Sequence, residues 1–209
     1  MTPIAIVHLD ESCLGNGREG ENPGGSAGLI EARNGRGKIQ RRDFFISSPA
    51  TTNNRMALSG AIAALQLLAR KKTRMRVLMV SDSQYLVKGM REWVPAWQAR
   101  GWSRKGGAIE NLELWRALSA SARLHDVEWT WVRGHKGHPK NEYADHLAVA
   151  AARDQKTSEG IVESGFDEWL AAKQAAGSYP DYDPDAAFTE LERRVASGEP
   201  FPLAEEQVT

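Results

Sequence analysis

Residues 129–145 read WTWVRGHKGHPKNEYAD, and this stretch carries the pattern from which the fold class follows. Its first part, with Val127 just before it, alternates apolar and polar residues, which is typical of a half-buried strand. Its last part continues as a helical pattern over residues 141–152, and two glycines and two histidines lie between. The sequence therefore predicts a strand, a flexible loop and a helix that presents Asp145 in its first turns.

This arrangement suits catalysis. A histidine on a mobile loop can move protons near neutral pH, and a carboxylate on a rigid helix can hold a metal ion. The alternative from this stretch alone is a surface loop with incidental histidines.

Two apolar segments elsewhere in the chain run directly into acidic residues. Ile4 to Leu9 is followed by Asp10, and Val77 to Val80 is followed by Ser81 and Asp82. A single aspartate at a strand end is usually a turn former. Two such strands side by side in one sheet would bring Asp10 and Asp82 to the same edge, where Asp145 would join them. This combination favours a metal site.

The remaining patterns predict the other elements. Residues 26–32 and 38–47 are expected to form a hairpin around an Asn-Gly-Arg-Gly turn. Helical periodicity predicts helices over residues 56–70, 83–90 and 111–122, and two further short helices over residues 166–176 and 185–196.

Net charge divides the chain. Residues 156–209 hold 4 Lys+Arg and 12 Asp+Glu, which leaves 23 and 15 in residues 1–155. We therefore expect a basic domain over residues 1–155, fit for a polyanionic partner, and an acidic C-terminal extension over residues 156–209. The extension could mask the basic surface, dock on the domain or bind a protein partner.

Composition also bears on location. One cysteine, Cys13, excludes an internal disulfide and is compatible with a reducing compartment, so a cytoplasmic location is expected. The sequence shows neither an export signal nor a membrane-spanning run.

Aromatic and basic residues alternate between residues 91 and 107. Trp93, Trp97 and Trp102 lie among Arg100, Arg104 and Lys105. Aromatic rings between cationic groups can pack on sugars and bind phosphates. Equally, the tryptophans could belong to the core of a helix pair whose basic residues are solvated.

In collinear order over residues 4–153, six motifs resemble type 1 ribonuclease H. They are DxSCLGN at residues 10–16, TNNRM at 52–56, DSQY at 82–85, WxxxW with RGW at 93–102, NxxLW at 111–115 and GHxGHPxNExxD at 134–145. Any one of them is weak, but six in order are specific. The resemblance implies an α/β fold with a mixed five-stranded sheet flanked by helices, followed here by a mostly helical or irregular extension.

This resemblance also implies an activity, namely hydrolysis of the RNA strand of an RNA/DNA hybrid with two divalent cations, normally Mg²⁺, for which Mn²⁺ could substitute. Asp10 would bridge both metals, Asp82 would bind one and Asp145 the other, and His135 would assist proton transfer or product departure. Two metals activate the attacking water and stabilise the leaving oxygen. The protein would be a monomer that binds the hybrid and no membrane.

For substrate binding, the resemblance implies three sets of contacts. Asn16, Asn53, Asn54 and Gln84 match positions that read the RNA minor groove and its 2′-hydroxyls. Thr52 matches part of a DNA-phosphate pocket. The segment from Trp93 to Lys105 matches the basic protrusion of the family, here with fewer consecutive lysines.

The sequence departs from the family at the fourth carboxylate. Where the family has a catalytic glutamate this chain has Ala57, and Glu11 follows Asp10 where the family has glycine. Ala57 could be an inactivating substitution, or mark a natural subgroup that works with three acids or with Glu11, or mark a non-catalytic module that binds hybrids. Neighbouring strand residues point to opposite faces unless a bulge intervenes, which argues against simple replacement by Glu11. An insertion over residues 17–22 could alter substrate choice.

Overall fold

The computed structural model describes residues 2–15, 22–134 and 137–201, which form a mixed sheet flanked by helices on both faces. The strands are β1 (Ile4–Cys13), β2 (Gly24–Arg33), β3 (Ile39–Ser48), β4 (Arg76–Ser81), β5 (Asp126–Trp131) and β6 (Val162–Glu163). Their order in the sheet is β5-β4-β1-β2-β3-β6. Strands β1, β2, β3 and β6 pair antiparallel, whereas β1, β4 and β5 pair parallel. The predicted sheet and hairpin are confirmed.

The helices are α1 (Asn53–Ala69), α2 (Gln84–Lys88), α3 (Val94–Ala99), α4 (Leu112–Ala122), α5 (Pro139–Asp154), α6 (Phe166–Ala175) and α7 (Pro184–Ser197). A π-helical turn, Gly89–Trp93, joins α2 to α3. Helix α1 begins after Thr52, whose side chain accepts a hydrogen bond from the Arg55 amide at 3.3 Å and so caps the helix. The predicted long helix is therefore confirmed, with its start three residues earlier.

Each face of the sheet has its own apolar layer. Ala5, Val7 and Leu9 of β1 pack with α1 and α4, and these residues belong to the largest buried cluster. The alternate residue Ile6 packs with Leu78 on the opposite face. That face is covered by α5 and by the C-terminal extension. The period-two alternation of β1 thus separates the two layers.

The C-terminal extension completes the second layer. Phe188 and Val195 of α7, with Phe201, are buried against Ile6 and Leu78. Strand β6 pairs with β3, so the sheet has six strands rather than the five that were expected. A two-residue strand is too short to show an alternating pattern, which is why the sequence did not predict it. The boundary at residue 155 stays a prediction.

Three further findings concern the end of β1, membrane-spanning helices and the cysteine. Strand β1 does not end before Asp10 but continues to Cys13, so Asp10 lies inside the strand. No helix in the described part of the chain is long and apolar enough to span a membrane. Cys13 is buried and unpaired.

Candidate active site

Asp10 is buried where β1 runs between β2 and β4. Only 5% of the residue is exposed. Its Oδ1 accepts a hydrogen bond from the Glu11 amide at 2.7 Å, and its Oδ2 accepts one from Asn141 Nδ2 at 3.0 Å. Burial, and then the negative charges of Asp82 and Glu11, raise the pKa of Asp10 to about 9, and Asp145 adds to the effect.

Glu11 is the second acid of the site. Burial and the nearby charge of Asp82 raise its pKa to about 8, against a hydrogen bond from Ser83 that lowers it. Its Oε2 is buried without a hydrogen-bond partner. Glu11 therefore lies close to the C-terminal end of β4, beside Asp82.

The register of the sheet shows which way Glu11 points. Glu11 pairs with Ser26 in an unbroken β1–β2 ladder, so there is no bulge at this position. A side chain at Gly60 of α1 would overlap Ser26 Oγ, which places Ser26 on the face covered by α1. Cross-strand partners share a face, so Glu11 points towards α1 and Asp10 towards α5.

Ala57 lies on that same α1 side. It is fully buried in α1 and belongs to the core cluster that contains Leu9. The opposite-face rule therefore holds for Asp10 and Glu11, and it directs Glu11 to the face on which Ala57 lies. A glutamate at position 57 would reach the site from the α1 face, and Glu11 occupies this face.

Asp82 follows β4 directly and is half-buried. Its backbone carbonyl accepts a hydrogen bond from Trp131 Nε1 at 2.8 Å, which ties the end of β4 to β5. A Cβ at Gly134 would overlap Asp82 Oδ2. The backbone at Gly134 therefore passes against this carboxylate, and a side chain there would displace the Asp82 carboxylate.

Asp145 lies in the second turn of α5 and is half-buried. Its charge acts on Asp10. The structure thus brings Asp10, Glu11, Asp82 and Asp145 into one electrostatically coupled group. His135 and Asn16 lie outside the described residues, as does the insertion except Asn22.

Asn141 is a site residue that sequence reasoning missed. It is 1% exposed, and Pro139 starts α5 so that Asn141 lies in its first turn. The amide and the carboxylate it contacts are 131 positions apart. The only sequence signal was its place in the GHxGHPxNExxD motif, where it was not given a role. His138, one residue before α5, accepts hydrogen bonds from the Asn141 and Glu142 amides through its carbonyl, consistent with a structural role.

The predicted substrate-binding residues near the acids lie at two helix starts. Thr52 and Asn53 stand at the beginning of α1, next to Asn54, and Gln84 begins α2 and is exposed. Thr52 uses its hydroxyl to cap α1. Asn53 has a buried Oδ1 with no hydrogen-bond partner. These polar groups border the α1 side of the acidic group.

The tryptophan segment has features of both interpretations of its sequence, because its tryptophans pack with the core while its basic residues are exposed. Trp93 and Trp97 are half-buried, and their rings lie 6.0 Å apart and within 6.3 and 5.8 Å of Trp115, a residue of α4. Trp115 Nε1 donates to Tyr85 Oη at 3.1 Å. The cluster is therefore continuous with the core. The sequence does not show these contacts because the cluster joins side chains of three helices.

Beside this cluster the surface is open and basic. A groove of about 330 Å³ is lined by Tyr85, Trp93, Trp97, Arg104 and Glu110. Trp102 is half-buried, with the Arg116 guanidinium 5.7 Å from its ring centroid. Arg100, Arg104 and Lys105 are exposed.

The oxygen donors of the acidic group suit a hard divalent cation. The charges of Glu11, Asp82 and Asp145 act on Asp10, and the two acids with raised pKa values gain from a cation that neutralises them. Within residues 2–15, 22–134 and 137–201, no three Asp, Glu, His or Cys side chains enclose an ion by themselves. The fit to a cation therefore rests on the chemistry of the carboxylate donors.

Comparison with known proteins agrees with this geometry. The chain matches the family model described as RNase H over residues 3–153. It is 41% identical to a ribonuclease HI of Caulobacter vibrioides, over 73% of this chain and 95% of the relative. It is 44% identical to a ribonuclease H of Xanthomonas campestris pv. campestris, over 72% and 93%.

Solved structures lead to the same family. LC9-RNase H1, described as a type 1 RNase H with the type 2 active-site motif, is 53% identical, with a TM-score of 0.79 over 89% of this chain and 91% of that one. The predicted resemblance to type 1 ribonuclease H is confirmed, and this chain belongs to the RNase H family.

Proposed function

We propose that this protein is a divalent-metal-dependent endoribonuclease that hydrolyses the RNA strand of RNA/DNA hybrids. In this proposal Asp10, Glu11, Asp82 and Asp145 are the acidic residues of the active site, and Glu11 takes the part that a glutamate at position 57 plays in the family. The observation that carries the proposal is the placement of Glu11 on the α1 face of the sheet, beside Asp82.

Electrostatics support a metal-dependent reaction. Burial and the negative charge of Asp82 raise the pKa values of both Asp10 and Glu11 and so favour their protonated forms in the absence of metal. A cation would replace those protons and draw the carboxylates together. When bound, two such ions would activate the attacking water and stabilise the leaving 3′ oxygen. Asp10 is central because both Asp82 and Asp145 act on it, whereas Glu11 is coupled to Asp82.

The protein's own residues supply orientation. Asn141 holds one oxygen of Asp10, and the Glu11 amide holds the other, so the carboxylate is fixed before metal or substrate arrives. Gly134 itself lies against Asp82. A proton-transfer role for His135 remains part of the proposal that rests on the family resemblance.

Substrate binding is proposed for two surfaces. Asn53, Asn54 and Gln84 offer amide groups to the 2′-hydroxyls of an RNA strand, which distinguish RNA from DNA. Arg100, Arg104 and Lys105 are exposed cations for phosphates of the second strand, next to the tryptophan groove.

The description of LC9-RNase H1 gives independent support. That protein is a type 1 RNase H whose active-site motif is of type 2. A type 1 fold thus accommodates an active-site motif that differs from its usual one, as we propose for Glu11 and Ala57 here.

The proposal is tested by cleavage of an end-labelled RNA/DNA hybrid in Mg²⁺ and in Mn²⁺. We expect the unaltered chain to cut the RNA strand, and Asp10→Asn and Glu11→Gln to abolish cutting while hybrid binding is kept. Tight hybrid binding by the unaltered chain without cleavage in either metal would instead select a non-catalytic hybrid-binding module. Cleavage that persists in Glu11→Gln would show that three acids suffice.

A further inference from the structure

We propose that the C-terminal extension fixes the first turn of α5 and thereby positions the carboxylate of Asp10. Lys140 and Tyr179 are the positioning residues, and they act through Asn141. This inference deepens the proposed function and rests on it for the role of Asp10.

Lys140 links the first turn of α5 to two other parts of the molecule. The residue is only 3% exposed. Its Nζ lies 2.7 Å from Glu31 Oε2 in β2 and donates to the Pro184 carbonyl, at the start of α7, at 2.9 Å. An ammonium buried between a carboxylate and a carbonyl holds its geometry far better than an exposed pair.

Tyr179 holds the same turn from the other side. The Tyr179 hydroxyl donates to Glu142 Oε2. Tyr179 lies between α6 and α7, and its carbonyl accepts from Gln174 Nε2 at 3.2 Å, which anchors it to α6. The extension therefore contacts residues 140 and 142 by separate hydrogen bonds.

Asn141 lies between these two contacts. Its side chain donates to Asp10 Oδ2 at 3.0 Å. A shift of the turn would carry Asn141 with it and release one of the two hydrogen bonds that orient Asp10. Because a helix turn moves as a unit, two links on either side of Asn141 restrict both its position and its rotation.

Apolar packing against α7 does not provide this restraint. A cavity of about 310 Å³ separates the first turn of α5 from α7, and Lys140, Asn141, Ala187 and Leu191 are among the residues that line it. Close-packed side chains would transmit position directly, whereas a cavity leaves room for the turn to move. The hydrogen bond from Lys140 to the Pro184 carbonyl links the two sides of this gap.

The charge pattern agrees with a supporting role. Arg41 contacts Glu31 at 3.0 Å and also Asp167 and Asp185 of the extension, so extension carboxylates join the buried ion group of Lys140. Within the described residues, the ion pairs of the extension with the domain involve Arg33, Arg41 and Arg42, and none involves Arg100, Arg104 or Lys105. In the described part of the extension, these carboxylates therefore pair with arginines of β2 and β3.

The test compares Tyr179→Phe and Lys140→Met with the matched control Arg33→Met, all in the full-length chain. Arg33 pairs with Glu192 of α7 at 2.8 Å, so its substitution breaks a link between extension and domain away from the turn. Glu142→Gln serves as the conservative variant, because it keeps an oxygen that accepts from Tyr179.

Three measurements are made on each variant. Hydrogen exchange of residues 139–145 in the metal-free protein reports the turn, Mn²⁺ binding followed by electron paramagnetic resonance reports the acids, and kcat and KM for hybrid cleavage report function. We expect Tyr179→Phe and Lys140→Met to speed exchange in residues 139–145, to weaken Mn²⁺ binding about 10-fold or more, and to lower kcat at unchanged KM. Arg33→Met and Glu142→Gln should leave all three close to the unaltered chain.

Unchanged exchange and unchanged Mn²⁺ binding in Tyr179→Phe and Lys140→Met would overturn the inference. An equal loss of exchange protection and Mn²⁺ affinity in Arg33→Met would also overturn it, since the extension would then act on stability alone. The first two measurements need no cleavage. An unaltered chain that does not cut hybrids would therefore defeat the proposed function, while exchange in residues 139–145 would still decide the inference.

Discussion

Glu11 is the register partner of Ser26, and Ser26 Oγ lies against Gly60 of α1, so Glu11 faces the helix that carries Ala57. Two positions 46 residues apart in sequence, at 11 and 57, therefore approach the acidic group from one side. A carboxylate at either position could serve the same side of the site.

This relationship predicts an exchange of the carboxylate between the two positions. Glu11→Ala should lower kcat by about 100-fold, which is the upper end of the range for loss of a group that supports a metal site. Adding Ala57→Glu to Glu11→Ala should restore part of the loss, whereas Ala57→Glu alone should slow the unaltered enzyme, because a fifth carboxylate would be buried beside Glu11 and Asp82. Hybrid cleavage in Mg²⁺ measures all three, with the exposed Glu113→Gln as the control. A double variant no better than Glu11→Ala would contradict the exchange.

The raised pKa values predict how stability depends on pH in the absence of metal. Asp10 and Glu11 ionise near pH 4 when unfolded, but the fold raises their pKa values to about 9 and about 8. Between these limits the folded state binds more protons, so the free energy of unfolding falls as pH rises. Asp10→Asn should therefore be more stable than the unaltered chain at pH 8, by at least about 1.4 kcal/mol, the equivalent of one pKa unit.

The measurement is urea unfolding in EDTA across this pH range. The advantage of Asp10→Asn should shrink towards pH 4, and Mg²⁺ should stabilise the unaltered chain more than the variant. A variant that is less stable than the unaltered chain at pH 8 would show that Asp10 does not carry this electrostatic cost.

Gly134 should tolerate no side chain. Because a Cβ there would overlap Asp82 Oδ2, Gly134→Ala should displace this carboxylate and lower kcat. The position is on a loop, so we expect little change in the melting temperature. Gly35→Ala is the matched control, since a Cβ at Gly35 meets nothing within 4 Å. Normal kcat in Gly134→Ala would mean that the loop can retreat from Asp82.

Gly89 should be equally sensitive, but through stability. A Cβ at Gly89, in the π-helical turn, would overlap the buried ring of Trp115. Overpacking of this kind typically costs about 1–3 kcal/mol. We expect Gly89→Ala to lower the melting temperature and to change tryptophan fluorescence, because Trp93 and Trp97 contact the same ring. An unshifted melting curve would contradict this packing.

The exposed cations near the groove should act on binding and not on chemistry. Replacing Arg100, Arg104 and Lys105 by glutamine should raise KM for the hybrid at unchanged kcat. The slope of log Kd against log salt should fall by about 1 for each phosphate that the variant no longer neutralises. Arg36→Gln, in the exposed β2–β3 turn, is the control. An unchanged salt slope would remove these residues from the interface.

The sequence by itself determined the order of the first five strands and of the longer helices, and also the family, since these follow from local periodicity and from motifs in collinear order. It also indicated Asp10, Asp82 and Asp145, because two apolar segments that run into acids, and a helical acid after a loop histidine, are expected to meet at one edge of a sheet.

The tertiary structure alone decided where Glu11, β6 and Lys140 lie and what they contact. Glu11 faces α1 because of the β1–β2 register, which a strand's own alternation does not reveal. Strand β6 forms by pairing with β3, which without it would be the edge strand of the sheet. Lys140 is buried because β2 and the start of α7, 44 residues further on, supply its partners. Each depends on groups distant in the chain meeting in space, and no local pattern encodes which groups those are.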